Sequence, residues 1–248
     1  MTVAGDYQDC YVTLEGVRVS YGSVNVITGV SAKLGPRGFH VIIGPNGAGK
    51  TTLLKSISGI VPFEGVIRVC GLHPRLATRL ISYSPSTPSY DPWARVIDVI
   101  EAGLYNSPEG ASLERALHLM RSLGAEEWLY KRFGELSSGE QKLVDLVRSM
   151  ARNPRVLLLD EPLAFLDLRN QARILKLLKS LSKRITVIAS MHELYFLDYS
   201  DHVILMGGGK IVYSGAPRGL LLDLVRETYN IDVVEAMLGD KRVIVPGI

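Results

Sequence analysis

The sequence has 248 residues, 47% of them hydrophobic, and its formal net charge at pH 7 is +3. This length suits one large α/β domain, or one domain with a small insertion, and such a chain can bury a sizeable core. The small net charge gives no reason to expect a nucleic-acid partner. A transmembrane helix needs about 18 or more consecutive apolar residues, and no such run is present. The apolar runs are short instead, which is typical of strands buried on both faces of a parallel sheet.

The two cysteines, Cys10 and Cys70, lie far apart in the sequence and form no C-x-x-C motif. This spacing favours small buried hydrophobic residues in strands over metal ligands, and it predicts a reducing compartment. Residues 1–8 contain no basic segment followed by an apolar one, so we expect no secretory signal there.

The first third of the chain has the patterns of β structure around a single helix. Residues 10–21 alternate between apolar and polar but are broken by Glu15-Gly16, which indicates a hairpin or a bulged strand. The glycines and proline at 35–38 predict a turn. Further extended segments are predicted over 26–34, 40–43, 66–69 and 80–83, with a helix that starts near 50 and ends near Gly59.

From residue 88 the spacing of apolar residues becomes helical, which predicts helices over 96–104 and 113–123. The α/β pattern then returns with a strand over 156–160, a helix over 170–181, a strand over 185–191, a hairpin of 202–206 with 210–213, and a last helix over 220–226. We therefore predict a single domain over 1–248. Its core covers about 1–87 and 144–219, a helical insertion covers about 88–143, and a C-terminal tail covers 220–248.

The most informative stretch is Gly44-Pro45-Asn46-Gly47-Ala48-Gly49-Lys50-Thr51-Thr52, which lies between an apolar run and a helical segment. It fits G-x-x-x-x-G-K-[ST], the P-loop pattern. Glycines allow backbone N–H groups to converge on a phosphate, and the helix N-terminus adds its dipole at the same point. Lys50 supplies a charge for the β- and γ-phosphates, and Thr51 supplies a hydroxyl for Mg²⁺. The sequence therefore predicts a phosphate-binding site with a hydroxyl ligand for Mg²⁺; the alternative is a glycine turn that happens to precede Lys-Thr.

Two carboxylates, Asp160 and Glu161, follow an apolar strand. At the carboxyl end of a parallel strand such groups face the P-loop. Asp160 can then hold Mg²⁺ through water, and Glu161 can take a proton from the attacking water. The alternative is two solvated charges at a strand end. It is weakened by the P-loop, because Mg²⁺ bound to ATP needs an acidic partner.

The segment Leu136-Ser137-Ser138-Gly139-Glu140-Gln141 precedes a helix, and Ser137 or Ser138 is a natural N-cap. Taken alone it indicates a capped helix, but together with the P-loop and the acidic pair it is specific. The chain resembles the ATP-binding cassette (ABC) ATPases, and 136–141 resembles their signature, with Ser138 where glycine is commoner. The resemblance covers nearly all of the chain. It implies the P-loop NTPase fold of the RecA-like type, with a parallel-sheet core, an N-terminal antiparallel β region and a helical subdomain insertion.

The resemblance also implies roles for single residues. Tyr21 is similar to the aromatic residue that stacks on adenine, although alone it would indicate an edge tyrosine. His192 is similar to the switch histidine that contacts the γ-phosphate, and with Lys50 and Glu161 it forms the expected catalytic set. Asp167 resembles the D-loop, which touches the opposite subunit. Further nucleotide contacts, to the ATP of the opposite subunit, are expected from Ser137, Ser138, Gly139, Glu140 and Asp167.

One position departs from the family. The family usually places glutamine after the strand that 80–83 matches, and this chain has Ser86 there. No glutamine lies between Gln8 and Gln141, so none can substitute nearby. A serine hydroxyl is shorter and reaches Mg²⁺ only through water. We therefore expect Thr51 and Asp160 to hold the metal, with Ser86 as a weaker, water-bridged ligand.

Finally, the resemblance implies partners. Two cassettes of this family dimerise head to tail, so this chain is expected to form a homodimer or to pair with a sister cassette. The segment 95–105 is similar to the start of the helical subdomain in importers of iron–siderophore, haem and cobalamin. The segment 225–233 is similar to the C-terminal part of the same group. The expected assembly is an importer on the cytoplasmic face of the cell membrane, with a polytopic permease and, indirectly, a substrate-binding protein. The alternatives are an exporter ATPase and a soluble cassette of iron–sulfur cluster assembly.

Overall fold

The computed structural model describes residues 10–105, 107–108, 110–239 and 241–247, and the segment 1–8, where we expect no signal, lies outside these ranges. The strands are β1 Val12–Tyr21, β2 Val24–Leu34, β3 Gly38–Ile43, β4 Glu64–Val69, β5 Ile81–Ser84, β6 Val156–Asp160, β7 Thr186–Ser190, β8 His202–Gly207, β9 Lys210–Gly215, β10 Val233–Leu238 and β11 Lys241–Pro246. The α-helices are α1 Lys50–Ile57, α2 Val96–Leu104, α3 Leu113–Leu123, α4 Ser138–Ala151, α5 Leu168–Ser182 and α6 Leu222–Tyr229. Short 3-10 helices cover Pro74–Leu76, Glu126–Trp128, Phe133–Glu135, Leu194–Tyr199 and Pro217–Gly219.

A six-stranded sheet with the order β5-β6-β7-β3-β8-β9 forms the centre of the fold. Its first five strands are parallel, and β9 is the antiparallel hairpin partner of β8. Every residue of β6 and β7 is buried, which explains their continuous apolar sequences. Because the strands are parallel, the residues that follow β3, β5, β6 and β7 lie at one edge of the sheet. The predicted α/β class with a parallel-sheet core is confirmed.

A second, antiparallel sheet has the order β2-β1-β4. Its buried residues pack with α1 and with one face of the central sheet, so α1 lies between the two sheets. The pairing of β1 with β2 shifts register between Leu14 and Val17, so the interruption at Glu15-Gly16 is a bulge in a continuous strand.

The prediction for the cysteines is wrong in part. Cys10 is buried in an apolar cluster as expected, but a disulfide joins it to Cys70. The antiparallel pairing of β1 with β4 places Val12 opposite Val69, so the cysteines beyond the strand ends meet with their Cα atoms 4.3 Å apart. A local sequence pattern cannot reveal a pairing over 60 residues. The expectation of a reducing compartment assumed two unpaired thiols, and the disulfide removes that assumption.

Helices α2, α3 and α4 pack on one another, α4 contacts β5, and α5 contacts β3 and β7. Their buried residues share one apolar cluster with the other face of the central sheet. The bounds of α2 and α3 agree with the sequence prediction. Ser112 caps the start of α3 by accepting a hydrogen bond from the Arg115 N–H, and Gly124 ends it with φ 71°. Among the helices of the described ranges, none has the length and apolar character needed to cross a membrane.

The C-terminal part differs from the prediction. The last helix, α6, starts two residues later than expected and extends to Tyr229. Strands β10 and β11 form an antiparallel hairpin that the sequence analysis did not predict. The hairpin is anchored by Val233 and Ile244, which are buried in the main apolar cluster. Glutamate, lysine and arginine within these strands weaken their β signal.

We expect reduction of the Cys10–Cys70 disulfide to lower the melting temperature. In the chain-entropy account, opening a loop of 60 residues removes about 4 kcal/mol of stabilisation. For a domain of this size that corresponds to a fall of ~10 °C. Calorimetry with and without dithiothreitol measures the change, and the variant with both cysteines replaced by alanine should not respond to the reductant. An unchanged melting temperature, with two titratable thiols in the untreated protein, would contradict the pairing.

Candidate active site

The loop between β3 and α1 needs glycine at two positions. Gly44 has φ 150°, and a Cβ there would lie 2.2 Å from the carbonyl oxygen of Met206. Gly49, with φ 98°, is the N-cap of α1, and a Cβ there would lie 3.2 Å from the carbonyl oxygen of Val26. The two glycines permit the tight turn by which a P-loop gathers backbone N–H groups around a phosphate. The N-terminus of α1 adds a favourable dipole for an anion.

Lys50, the first residue of α1, folds back over this loop. Its Nζ donates to the carbonyl oxygen of Gly44 at 2.6 Å and to that of Pro45 at 3.2 Å. Burial lowers the pKa of Lys50, while the carboxylates of Glu161 and Asp160 raise it. The ammonium is therefore held on neutral acceptors, and an anionic phosphate oxygen can replace them with a stronger, charge-assisted bond.

Asp160 accepts hydrogen bonds from two other elements. Thr51 Oγ1 lies 3.0 Å from Oδ1 and 2.9 Å from Oδ2 of Asp160, and Ser190 Oγ lies 2.6 Å from Oδ1. The parallel register of β6 and β7 places Asp160 opposite Ser190, so this contact follows from the sheet. Mg²⁺ prefers oxygen ligands and keeps several waters beside one or two carboxylates. The donor set of Thr51 and Asp160 therefore fits Mg²⁺.

Ser190 is a functional candidate that the sequence analysis missed. Besides its bond to Asp160, its hydroxyl oxygen accepts a hydrogen bond from the Glu161 N–H at 3.0 Å. It thus fixes both carboxylate residues relative to β7. The available signal was a polar residue at the end of an apolar strand, two positions before His192.

Glu161 and His192 meet at the edge of the site, with Glu161 Oε1 2.7 Å from His192 Nε2. Glu161 has φ 49°, a left-handed conformation that is strained for a residue with a side chain. Strained residues of this kind persist where surrounding contacts hold them, often at functional sites. A carboxylate next to an imidazole can accept a proton from a bound water, which is the chemistry of a general base.

These side chains line a pocket of about 170 Å³ formed by Val26, residues 46–52, Glu161 and His192. The structure thus brings Glu161 and His192 to the P-loop, with Asp160 bonded to Thr51. The predicted site residues that are not part of this lining are Tyr21, Gly44, Pro45, Ser86, Ser137, Ser138, Gly139, Glu140, Asp160 and Asp167. Tyr21 is half-exposed at the end of β1. A larger groove of about 600 Å³, lined by residues of α6 and the C-terminal hairpin, shares no residue with the pocket.

The signature residues begin α4. Ser137 is the N-cap, and its N–H donates to Glu140 Oε2 at 2.7 Å in a capping box. Gly139 lies against the segment before α5, because a Cβ there would lie 2.6 Å from the carbonyl oxygen of Phe165. Asp167 is the N-cap of α5 and accepts from the N–H of Asn170. Within one chain, the segment that resembles the signature therefore contacts the segment that resembles the D-loop.

Ser86 lies just beyond β5 and is half-buried. Its carbonyl oxygen accepts a hydrogen bond from Lys142 Nζ at 3.3 Å. Lys142, on α4, is fully buried, and the sequence analysis missed it. Burial lowers the pKa of Lys142 to about 8, against the attraction of nearby carboxylates, of which Asp145 contributes most. Ser86 as a metal ligand stays a prediction.

A contact from the C-terminal tail reaches the P-loop. The N–H of Gly44 donates to the hydroxyl oxygen of Tyr229, the last residue of α6, at 2.8 Å. Burial raises the pKa of Tyr229 to about 12, and this bond opposes the rise. The two residues are 185 positions apart, so no local pattern could indicate the contact.

The fold and the site define a P-loop NTPase. The chain belongs to the ABC transporter family, whose sequence profile matches residues 27–164. The manganese transport system ATP-binding protein MntB of Bacillus subtilis (strain 168) is 31% identical over 232 residues, which cover 88% of this chain and 92% of MntB. The hemin import ATP-binding protein HmuV of Jannaschia sp. (strain CCS1) is 30% identical over 229 residues, which cover 86% of this chain and 84% of HmuV.

Among solved structures, a dimeric ATP-binding cassette in a post-hydrolysis state, bound to ADP and Pi, has the same fold. Its TM-score is 0.77 at 24% identity, and the match covers 84% of this chain and 100% of that chain. The resemblance found in the sequence is thereby confirmed, as is the P-loop NTPase fold. The chain is an ATP-binding subunit and an ATPase of the ABC family.

We expect Glu161→Gln to keep ATP binding and to lose turnover, because glutamine has the same shape but cannot accept the proton of water. The loss of a general base lowers kcat by about 100-fold or more. Lys50→Ala should weaken both binding and turnover, since the phosphates lose their cation. Steady-state ATPase and titration with a fluorescent ATP analogue measure the two quantities. Glu114→Gln, at an exposed position of α3, is the matched control. Near-normal turnover in Glu161→Gln would show that Glu161 is not the general base.

We expect Tyr229→Phe to raise the KM for ATP about fivefold, because a buried N–H that loses its acceptor costs about 1–3 kcal/mol. The affected N–H is that of Gly44, at the start of the P-loop. Tyr213→Phe, whose hydroxyl bonds the carbonyl oxygen of Ala216, makes the same change away from the P-loop and serves as the control. If KM and melting temperature both stay at the wild-type values in Tyr229→Phe, the contact does not stabilise the loop.

Proposed function

We propose that the chain is the ATP-hydrolysing subunit of an importer for a metal chelate, of the iron–siderophore, haem or cobalamin class. The observation that carries this proposal is the similarity, over nearly the whole chain, to cassettes named for hemin import and for manganese transport. The importer-like sequence over 95–105 corresponds to α2, and the importer-like tail over 225–233 includes most of α6.

In this proposal the P-loop and Lys50 bind the phosphates of ATP. Lys50 exchanges the carbonyl oxygens of Gly44 and Pro45 for oxygens of the β- and γ-phosphates. Thr51 and Asp160 would hold Mg²⁺, with Ser86 contributing through water, and the ion would neutralise phosphate charge when bound. Ser190 holds the Asp160 carboxylate in place by its 2.6 Å hydrogen bond.

Glu161 accepts the proton of the attacking water in the proposed reaction. His192 orients the Glu161 carboxylate through the 2.7 Å contact and faces the γ-phosphate. Because the strained backbone of Glu161 is fixed by the bond to Ser190, its carboxylate is positioned before ATP arrives. Tyr21 stacks on the adenine ring.

We further propose that two copies form a head-to-tail homodimer. The signature residues 137–140 and Asp167 lie outside the lining of their own P-loop pocket, so they are free to serve the ATP of a second copy. Phe165 and Leu168 beside Asp167 are 63% and 79% exposed, which gives the second copy an apolar surface to cover. A cassette of the same fold is dimeric after hydrolysis.

The proposed site for the permease is a groove of about 460 Å³ that begins at Tyr90, just after the Ser86 loop (residues 85–89), and is lined on α2 by Val99 and Ala102. It belongs to the proposed helical subdomain over 88–143, which is inserted into a RecA-like core over 1–87 and 144–219, with a tail over 220–248. The chain then works on the cytoplasmic face of the cell membrane. A substrate-binding protein acts on it only indirectly, through the permease.

We expect the chain to co-purify in detergent with a polytopic membrane protein encoded by a neighbouring gene. Ala102→Glu places a charge in the groove and should abolish co-purification, whereas Ala172→Glu, at an exposed position of α5, should not. The permease recovered per folded cassette is the quantity measured. A stable complex with soluble iron–sulfur assembly proteins in place of a permease would contradict the proposal, and outward transport by the purified complex would make it an exporter.

A further inference from the structure

Helix α4 carries two fully buried charged residues that none of the roles above uses, Lys142 and Asp145. Lys142 Nζ donates to the carbonyl oxygens of Pro85 at 2.5 Å, Asp160 at 2.8 Å and Ser86 at 3.3 Å. An ammonium group has three N–H donors, so this arrangement uses all of them. A charge is tolerated in the interior only when it is satisfied in this way and has counter-charges nearby.

The position of Lys142 relative to the sheet explains what it connects. Pairing between β5 and β6 ends with Ser84 opposite Leu159. The next residue of each chain segment is Pro85 or Asp160, and Lys142 Nζ connects the two by donating to both carbonyl oxygens. The carbonyl of Asp160 belongs to the peptide group that leads to Glu161, so the ammonium holds the metal-binding and base residues by their shared backbone.

Asp145 holds the same loop at both ends. Its carboxylate accepts hydrogen bonds from Ser84 Oγ, before the loop, and from the hydroxyl of Tyr90, after it. Arg148 pairs with this carboxylate at 3.0 Å, which compensates its buried charge. Together, the two residues of α4 attach the Ser86 loop at its start, its middle and its end.

We propose that Lys142 is a positioning residue that connects the Ser86 loop to the Asp160–Glu161 peptide, while Asp145 fixes that loop to α4. The family that the chain resembles usually has a glutamine at position 86, and serine is too short to reach the metal directly. The ammonium of Lys142 joins the same two elements through backbone carbonyls. A shift of the loop therefore moves the catalytic carboxylates and the signature helix together. The inference rests on ATP hydrolysis at this site and does not depend on the transported ligand.

The first test is Lys142→Met, which keeps the length of the side chain and removes its donors. We expect kcat to fall about tenfold or more, as when a supporting ligand of a metal site is lost. KM for ATP should change little because the P-loop is untouched, and the Mg²⁺ concentration for half-maximal turnover should rise. Lys176→Met, the same change at an exposed lysine of α5, is the control. Lys142→Gln keeps two donors and should lower kcat by a smaller factor. It replaces Lys142→Met as the test if the methionine variant does not fold.

A second substitution separates positioning from general stability. In the Lys142→Met background, Ser86→Gln supplies a side chain long enough to reach the metal, and it should recover several-fold of the lost kcat. A residue needed only for stability would not be rescued in this way. Unchanged kcat in the folded Lys142→Met protein overturns the inference, as does a loss that follows the melting temperature and resists rescue. Failure to find a permease partner would overturn only the importer proposal.

Discussion

The active site depends on the hydrogen bonds that converge on Asp160. Its carboxylate accepts from Thr51 on α1 and from Ser190 on β7, and its carbonyl accepts from Lys142 on α4. Asp160 is 1% exposed, so these bonds form in a low-dielectric interior where an unpaired polar group is costly. The P-loop, the central sheet and helix α4 therefore keep one relative position, and a shift of any of them is transmitted to Asp160, the proposed ligand of Mg²⁺.

Short motifs made much of this site predictable from the sequence. The P-loop and the Asp160-Glu161 pair each occupy a few consecutive residues, and their meeting follows from one rule, that the carboxyl ends of parallel strands share an edge. The helices α2 and α3 were located correctly because their apolar spacing is regular and α3 has a serine cap and a C-terminal glycine. Their amphipathic faces pack on α4, and Arg115 of α3 also donates to the carbonyl oxygen of Met150 on α4.

The remaining features depend on contacts between distant residues. The Cys10–Cys70 pairing arises from the β1–β4 register, and the bond between Gly44 and Tyr229 spans most of the chain. For Lys142 a local signal did exist, since Lys142 and Asp145 interrupt an apolar helix at i and i+3. Helical spacing alone cannot tell whether such charges face solvent or a set of strand-end carbonyls, because that depends on what the fold places opposite them.

The hydrogen bond between Tyr229 and Gly44 limits the exchange of C-terminal segments between related cassettes. The tail follows the last strand of the central sheet and, by position alone, could be taken for an appendage with its own evolutionary history. Its final helical residue nevertheless supplies the acceptor for the first amide of the nucleotide loop. A chimera that carries the tail of a relative would lose the hydrogen bond to Gly44, unless that tail places a hydroxyl at the same position. The tail and the loop are therefore structurally coupled, although 185 positions separate the two bonded residues.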